Sequence, residues 1–259
     1  MVSKSLKGFG GLGLAATLAA TLVLVPATQG DVISKAVAEG NLTINQVLND
    51  QDQPIAMPDD LVISAAAGLF EESGTFDGNA EVFTAEGTAL VNAVDANNLG
   101  LFEGVTAKAE VDGIARTTAG VISWTNMSAA TNGSMTMTNN SAADTYTVRL
   151  ALNFLISGEL TGTGDIQDSG YSEAVLGIKN DDFSLDIFDA FVFKYDMNNA
   201  SQTYFNSGNE VLDIPLAPGQ TVSFDMITDS YGGTGVPEPS TVMLLLAGLG
   251  ALVIRKRMR

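Results

Sequence analysis

Hydrophobic and polar residues alternate along several stretches of the chain, and this alternation is the main guide to its fold. In residues 145–154 every second position is apolar, at Tyr146, Val148, Leu150, Leu152 and Phe154. Residues 134–138 and 221–226 repeat the pattern with Met135, Met137, Val222, Phe224 and Met226. Because successive side chains of a β-strand point to opposite faces, these stretches predict strands with one buried face.

Weaker signals predict further strands and the turns between them. Residues 183–195 are partly apolar on both sides, which predicts a central strand with a bulge near Asp189. Asn132 and Gly133 predict a two-residue hairpin turn. Shorter patterns predict strands at residues 61–66, 80–84, 89–94, 105–111 and 120–124. Clusters of Asn, Asp, Gly and Pro predict reversals at residues 139–141, 162–165, 196–199 and 218–219.

Many short strands separated by turns predict an all-β fold, an antiparallel β-sandwich or jelly roll built from residues 61–231. Residues 31–60 form a mixed segment in front of this body, and we expect a short helix around residues 44–48. The glycines of residues 232–235 predict a flexible linker behind it. We find no internal repeat of the length that is typical of solenoids.

Residues 1–30 predict a secretory signal peptide. Lys4 and Lys7 precede an apolar run that ends at Val25, and small residues follow this run. The order of positive, apolar and small residues is typical of signal peptides, and we expect cleavage after Ala27 or Gly30. The alternative is a retained membrane anchor, for which about 17 apolar residues lie at the lower limit of length.

Three features follow one another in residues 236–259. Pro237, Glu238 and Pro239 come after Val236, and the two prolines predict an extended, protease-accessible segment. Residues 240–254 carry no charge and would span about 22 Å as a helix, which predicts one short transmembrane helix. A basic cluster follows, consisting of Arg255, Lys256, Arg257 and Arg259. Such clusters stay on the cytoplasmic side, so we expect the body of the chain outside.

Together the triplet, the apolar helix and the basic cluster resemble the PEP-CTERM sorting signal of Gram-negative and related bacteria. The resemblance implies that an exosortase, an integral-membrane cysteine protease or transpeptidase, recognises Pro237, Glu238 and Pro239 and cuts near them. It also implies an exported protein that is held transiently in the inner membrane and then reaches the cell envelope, the cell surface or the exterior. Bacteria with such proteins often make exopolysaccharide. The alternative is a simple C-terminal anchor that is not processed.

The charge and composition of the body exclude several functions. Residues 31–235 carry 29 acidic and six basic side chains, a net charge of −23. This charge repels nucleic-acid phosphate, so we expect no DNA or RNA partner. The chain has no histidine and no cysteine, which excludes Ser-His-Asp and Cys-His catalysis, zinc sites made of His and Cys, and disulfides.

Acidic turns predict the one cofactor that we consider, calcium. Asp165 and Asp168 lie in one Gly-rich loop, and Asp181 and Asp182 lie in a second loop. Calcium binds carboxylate and amide oxygens, so these four residues are candidate ligands. None of the loops has EF-hand spacing, and the alternative is an ordinary solvated turn, where Asp is common.

Carbohydrate chemistry is the remaining candidate. Trp124 lies in an apolar run, so we expect it in the core, whereas Tyr204 and Phe205 are better candidates for an exposed sugar-binding platform. A glycoside hydrolase needs two carboxylates that face each other across the sugar bond. The sequence offers several acids without selecting a pair, among them Glu159, Glu173 and Glu210.

We therefore expect an exported surface or matrix protein that acts by display and interaction, with exopolysaccharide as a partner, and that is not an enzyme. The exosortase and the inner membrane are its partners during sorting. The alternative is a calcium-dependent carbohydrate-binding or adhesion module, and a glycoside hydrolase is the third hypothesis. Apart from the candidates Tyr204 and Phe205, the sequence identifies no carbohydrate-binding residues in the body.

Overall fold

The computed structural model describes residues 31–116, 121–162, 169–180, 186–196 and 202–236. Within these residues the chain forms eleven strands and no helix, which confirms the predicted all-β fold. The strands are β1 (Asp31–Leu48), β2 (Pro54–Ile55), β3 (Leu61–Asp77), β4 (Ala80–Asn92), β5 (Gly104–Arg116), β6 (Ser123–Asn139), β7 (Tyr146–Thr161), β8 (Ser169–Asn180), β9 (Asp186–Asp196), β10 (Gln202–Leu216) and β11 (Thr221–Val236).

The strands form two antiparallel sheets packed against each other. Sheet A has the order β10-β7-β1-β5-β4, and the short β2 pairs with the end of β1. Sheet B has the order β3-β6-β11-β8-β9. Neighbouring strands of both sheets run antiparallel. This arrangement is the predicted β-sandwich, whose core lies between the inner faces of the two sheets.

The core confirms the alternation that was strongest in the sequence. Val148, Leu150 and Leu152 of β7 are fully buried, whereas Asn153 is exposed on the outer face of sheet A. The buried residues of β7 belong to one large hydrophobic cluster with residues of sheet B, among them Met135, Met137, Phe224 and Met226. The alternation of apolar and polar side chains therefore gives each sheet one buried face, and the two buried faces form the core.

The short helix predicted around residues 44–48 is wrong, because these residues form the end of β1. β1 is the central strand of sheet A and pairs with β5 on one side and β7 on the other. A bulge at Asn45 shifts the pairing between Ile44 and Gln46. The extra residue leaves Ile44 and Val47 both buried although they are three positions apart, which a regular strand would not allow.

Two predictions based on glycine are wrong for a common reason. Asn132 and Gly133 lie inside β6 rather than in a hairpin turn, and residues 232–235 are paired strand residues of β11 rather than a linker. A Cβ atom on Gly133 would lie 2.9 Å from Val105, and one on Gly232 would lie 2.7 Å from Ser34 Oγ. These glycines allow the two sheets to approach each other closely.

β9 is an edge strand of sheet B, so the prediction of a central strand at residues 183–195 is wrong. The strand does contain a bulge, at Ile187, two residues before the predicted position at Asp189. Its residues are apolar on both faces because the outward side carries exposed aromatic side chains. Aromatic residues on the solvent face of an edge strand thus produced the pattern of a doubly buried strand.

Most of the weaker signals are confirmed as parts of longer strands. Residues 80–84 and most of 89–94 belong to a single strand, β4, and residues 61–66 and 105–111 fall in β3 and β5. Of the strand predicted at 120–124, residues 123 and 124 begin β6, and residue 120 lies outside the described residues. Reversals follow β6 at residues 139–141 and β10 at residues 218–219. The reversals at 162–165 and 196–199 extend outside the described residues, which also exclude the predicted signal peptide and transmembrane helix. No helix in the described ranges is long and apolar enough to cross a membrane.

Candidate functional site

The sorting signal of the sequence begins at a buried strand. β11 runs between β6 and β8, and its last residue, Val236, pairs with Ser123. Val236 is only 3% exposed. It belongs to a small apolar cluster that also contains Val32, Ala80, Ala115 and Leu160. In the sequence, the Pro-Glu-Pro triplet therefore follows the core of the sandwich without an intervening linker.

Both ends of the described body meet at this cluster, which we call the tail end of the sandwich. β1 begins at Asp31, and the next residue, Val32, packs in the same cluster as Val236. The predicted signal peptide and the predicted sorting tail are therefore joined to the same end of the fold. A strand advances about 3.3 Å per residue, so the 16 residues of β11 place the opposite, distal end roughly 50 Å away.

Hydrogen bonds between the sheets distinguish the half of the sandwich next to the tail end. Ser34 Oγ on β1 donates to the carbonyl oxygen of Tyr171 at 2.5 Å, and Ser230 Oγ on β11 donates to that of Ala109 at 2.9 Å. A short hydroxyl side chain reaches the opposite backbone only where the sheets lie close together. Small buried residues make this approach possible, namely Ala36, Ala38, Ala109, Ala129 and Ala174.

Most of the residues predicted for sorting and metal binding lie outside the described part of the chain. Of the sorting residues, Val236 is described. Those outside the described part are Pro237, Glu238, Pro239, Arg255, Lys256, Arg257 and Arg259, and the candidate calcium ligands Asp165, Asp168, Asp181 and Asp182. Among the residues that are described, no group of three acidic side chains is arranged to hold a metal ion.

The three glutamates considered for sugar hydrolysis lie on different surfaces. Glu159 is on the outer face of sheet A, where Thr161 Oγ1 donates to its carboxylate at 2.8 Å. Glu173 is on the outer face of sheet B, where burial raises its pKa. Glu210 lies on the edge strand β10 and is exposed. The fold therefore does not bring these three carboxylates together.

The predicted positions of the candidate aromatic residues are corrected by the alternation of their strands. Trp124 is 38% exposed on the outer face of sheet B, so its predicted place in the core is wrong. Its two neighbours on β6 point inward, which turns the indole outward. The pair at residues 204 and 205 is divided between the faces. Tyr204 forms a 3.0 Å hydrogen bond with Ser172, whereas Phe205 is 71% exposed.

An aromatic row that sequence reasoning missed lies along the edge of sheet B. Phe191, Phe193 and Tyr195 occupy alternate outward positions of β9, and the rings of Phe193 and Tyr195 are nearly parallel, with centroids 6.5 Å apart. On the neighbouring strand, Tyr171 donates its hydroxyl to Asn126 Oδ1 at 2.7 Å. The period-two signal is present in the sequence of β9, but only the topology identifies this strand as an exposed edge.

The same face of sheet B holds a carboxyl group with a perturbed pKa. Burial and the negative charge of Glu173 raise the pKa of Asp229 to about 6, and the negative charge of Glu71 acts in the same direction. Lys179 opposes this shift. Because the pKa is raised toward neutrality, the charge of this face changes between mildly acidic and neutral pH.

A shallow depression of about 510 Å³ opens on the outer face of sheet A. Three asparagines lie side by side in it, since Asn41 on β1 pairs with Asn153 on β7, and Asn153 pairs with Asn209 on β10. Glu39 and Leu155 line the depression next to them. Sequence reasoning missed this site because its residues are far apart in the chain and only strand register brings them together.

Comparison with known proteins identifies one part of the chain. The family model of the PEP-CTERM protein-sorting motif matches residues 235–259, which begin within β11. No curated protein and no solved structure matches the chain. The chain therefore carries a PEP-CTERM sorting motif, as the resemblance predicted. This motif indicates an exported protein that an exosortase sorts through a membrane-anchored signal.

Proposed function

We propose that the protein is a surface or matrix component that is staged in the inner membrane, processed by an exosortase, and then acts by interaction with exopolysaccharide. The observation that carries this proposal is the sorting motif at residues 235–259, which directly continues a central strand of a folded sandwich. In this arrangement the tail is a cleavable extension, and the sandwich is the part that reaches its final location.

The sorting step follows from the position of the tail. In our proposal the signal peptide exports the chain, and the basic cluster keeps the C-terminus on the cytoplasmic side. The tail end of the sandwich then lies next to the membrane, and the distal end lies farthest from it. The exosortase cuts near Pro237, Glu238 and Pro239. Because Val236 is buried and paired with β6, we expect the cut to fall after this residue.

The charge of the body supports interaction with an uncharged partner. Residues 31–235 carry a net charge of −23, and basic side chains in the described part of the body form ion pairs with carboxylates. These pairs are Lys35–Asp112 at 3.1 Å, Lys108–Glu110 at 2.6 Å, Arg116–Glu81 at 3.0 Å and Arg149–Asp213 at 2.7 Å. We propose that nucleic acid is not a partner and that the body binds rather than turns over its ligand.

Intact mass spectrometry of the protein from the envelope and the culture medium tests the sorting step. We expect a mature species that begins after Ala27 or Gly30 and ends within a few residues of Val236. A species that keeps the full tail in every fraction would contradict processing and would support the simple membrane anchor.

The basic cluster provides a second test of sorting. We expect that replacement of Arg255, Lys256, Arg257 and Arg259 by serine weakens retention of the precursor in the membrane and lowers the yield of processed protein. A matched control replaces Lys194, which lies on β9 of the body, and should leave both quantities unchanged. Equal retention and processing of the two variants would show that the cluster has no role in sorting.

A second candidate function is a calcium-dependent carbohydrate-binding or adhesion module. The exposed aromatic row on β9 and the asparagine-lined depression on sheet A favour carbohydrate binding. Calcium dependence rests on the candidate ligands Asp165, Asp168, Asp181 and Asp182. Loss of glycan binding on addition of a chelator would support this function, and binding that is unchanged by chelator would contradict it.

A further inference from the structure

We propose that the depression on sheet A is a binding site for an uncharged polysaccharide chain that lies across the strands, along the row of Asn209, Asn153 and Asn41. This inference rests on the proposed function and names the class of its partner. It is tested by binding measurements, which do not depend on how the tail is processed.

The row is longer than the depression itself. Thr106 on β5 pairs with Asn41 and donates its hydroxyl to Asn41 Oδ1 at 3.3 Å. On β4, Leu90 is opposite Thr106, and Asn92 reaches over from the adjacent row, where its Nδ2 donates to Thr106 Oγ1 at 2.6 Å. Polar side chains thus cross all five long strands of sheet A. Adjacent strands lie about 4.8 Å apart, so the row extends over roughly 19 Å with a polar group at each step. A polar row of this length matches a linear polymer with repeating hydroxyl groups.

The two asparagines nearest the edge of the sheet have free hydrogen-bonding capacity. Within the part of the chain that the structure describes, the side-chain amides of Asn153 and Asn209 form no hydrogen bond, and both residues are exposed. An amide offers two donor hydrogens and an acceptor oxygen, which is the combination that sugar hydroxyls require. Ser207 adds a hydroxyl group to the same depression.

Apolar groups lie beside the amides, as a sugar ring with polar edges and apolar faces requires. Leu155 lines the depression. One row further along, Phe205 on β10 pairs with Ser157 and is 71% exposed. Pockets that bind small molecules combine apolar contact with a few placed polar groups in the same way. The combination favours a saccharide over a purely polar ion or a purely apolar ligand.

The charges around the depression select an uncharged chain. Glu39 lines the site with a carboxylate. The basic side chains nearest to it on this face are held by carboxylates: Lys108 by Glu110 at 2.6 Å, Arg149 by Asp213 at 2.7 Å and Lys35 by Asp112 at 3.1 Å. A polymer of uronic acids or phosphorylated sugars would meet repulsion without a compensating free cation. Neutral hexose polymers and N-acetylated amino-sugar polymers meet no such repulsion.

Affinity measurements on the full-length protein in detergent solution test the site. The probes are a soluble neutral glucan, N-acetylated chito-oligosaccharides, their monosaccharides, and a polygalacturonate as the anionic polymer. We expect at least one of the uncharged polymers to bind more tightly than its monosaccharide and more tightly than polygalacturonate. The double variant Asn153→Ala, Asn209→Ala should weaken this binding at least tenfold, since each lost hydrogen bond accounts for several-fold in affinity.

The control is Asn206→Ala, because Asn206 is an exposed asparagine on the same edge strand that does not line the depression. It should bind within about twofold of the wild type, and thermal unfolding should confirm that all variants are folded. The proposal is overturned if no uncharged polymer binds, if the double variant binds like the control, if polygalacturonate binds best, or if the monosaccharide binds as tightly as the polymer. Failure of the sorting proposal would instead appear in the mass of the mature protein.

Discussion

We call the half of the sandwich next to the tail end the tail half and the opposite half the distal half. Both halves consist of the same alternating strands, but different interactions hold their two sheets together. The distal half packs large side chains between the sheets, including Leu42, Ile44, Met135, Met137, Leu150, Leu152 and Phe224. The tail half packs mostly alanine, serine and glycine, and hydroxyl groups cross from one sheet to the backbone of the other. The alternation determines which residues point inward. The size of these residues determines whether the sheets are held together mainly by apolar packing or also by hydrogen bonds between them.

The difference has an energetic consequence. A large apolar side chain contributes about 1.5–3 kcal/mol when it is fully buried, whereas a hydrogen bond contributes about 1 kcal/mol net. The distal half should therefore supply most of the stability. The tail half should depend more on close fit, because its hydrogen bonds exist only at short distance between the sheets.

The largest effect is expected from a cavity in the distal half. Leu150→Ala removes a fully buried side chain of β7 and should lower the free energy of unfolding by about 2–5 kcal/mol. Urea unfolding followed by tryptophan fluorescence measures this loss. The control on the same strand is Asn153→Ala, which changes an exposed side chain and should stay within about 0.5 kcal/mol of the wild type. A loss below about 1 kcal/mol for Leu150→Ala would contradict the assignment of stability to this half.

In the tail half, the free energy of unfolding should be sensitive to a side chain that is enlarged rather than shortened. A Cβ atom on Gly232 would lie 2.7 Å from Ser34 Oγ and 3.0 Å from Met127 Cε. Gly232→Ala should therefore push the sheets apart and lower the free energy of unfolding by about 1–3 kcal/mol. Thermal or urea unfolding measures the loss.

The matched control for this prediction is Gly177→Ala on β8. A Cβ atom there would make contacts of 3.5 Å or more, and alanine restricts the unfolded chain more than glycine does. Gly177→Ala should be neutral or slightly stabilising. If both variants are equally stable, the sheets of the tail half are not in close contact.

The glycines also show where prediction of the fold from sequence stops. Alternation located the strands of both halves, because it reports on the strand itself. Gly133 and Gly232 were assigned to a turn and a linker, because a glycine indicates that a side chain is absent without indicating why. The reason lies on the opposite sheet, at Val105 and Ser34. Likewise, the bulge at Asn45 lies in the segment for which a helix was predicted, and only the pairing of β1 with β7 reveals it.

The two candidate sites also differ in whether their residues are neighbours in the sequence or only in the fold. The sorting tail was predicted from sequence because its triplet, apolar run and basic cluster follow one another in the chain and act without a tertiary partner. The depression on sheet A was not predicted, because Asn41, Asn153 and Asn209 become neighbours only through the register of three strands. Single asparagines in strands give no signal of their own, since their chemistry depends on what lies beside them.

A buried hydroxyl pair provides a smaller test of the tail half. Thr125 and Thr234 are buried on neighbouring strands, and their hydroxyl oxygens lie 2.7 Å apart. Thr234→Val should cost about 1–2 kcal/mol in the free energy of unfolding, because it leaves the Thr125 hydroxyl without its partner. Changing both residues to valine should recover most of this loss. Additive losses in the double variant would show that the pair does not interact.

The smallest expected effect concerns the outer face of β11, one residue away from the inner hydrogen bond of Ser230. The pKa of Asp229 is raised from 3.8 to about 6 by burial and by Glu173, with a further contribution from Glu71 and opposition from Lys179. A carboxyl group whose pKa is raised by folding stabilises the fold when it is protonated. Its contribution is complete below pH 3.8 and is lost as the pH rises through 6.

Asp229→Asn should therefore be more stable than the wild type at pH 8, by about 1 kcal/mol once solvent screening of a partly exposed group is included. The difference should shrink toward pH 4, where the wild-type carboxyl is protonated and resembles the amide. Urea unfolding at intervals from pH 4 to 8 measures this difference in the free energy of unfolding. If the difference in the free energy of unfolding between Asp229→Asn and the wild type does not change with pH, Asp229 acts through packing rather than charge. The outer face of β11 would then depend on close fit, as the contact between the sheets of the tail half does.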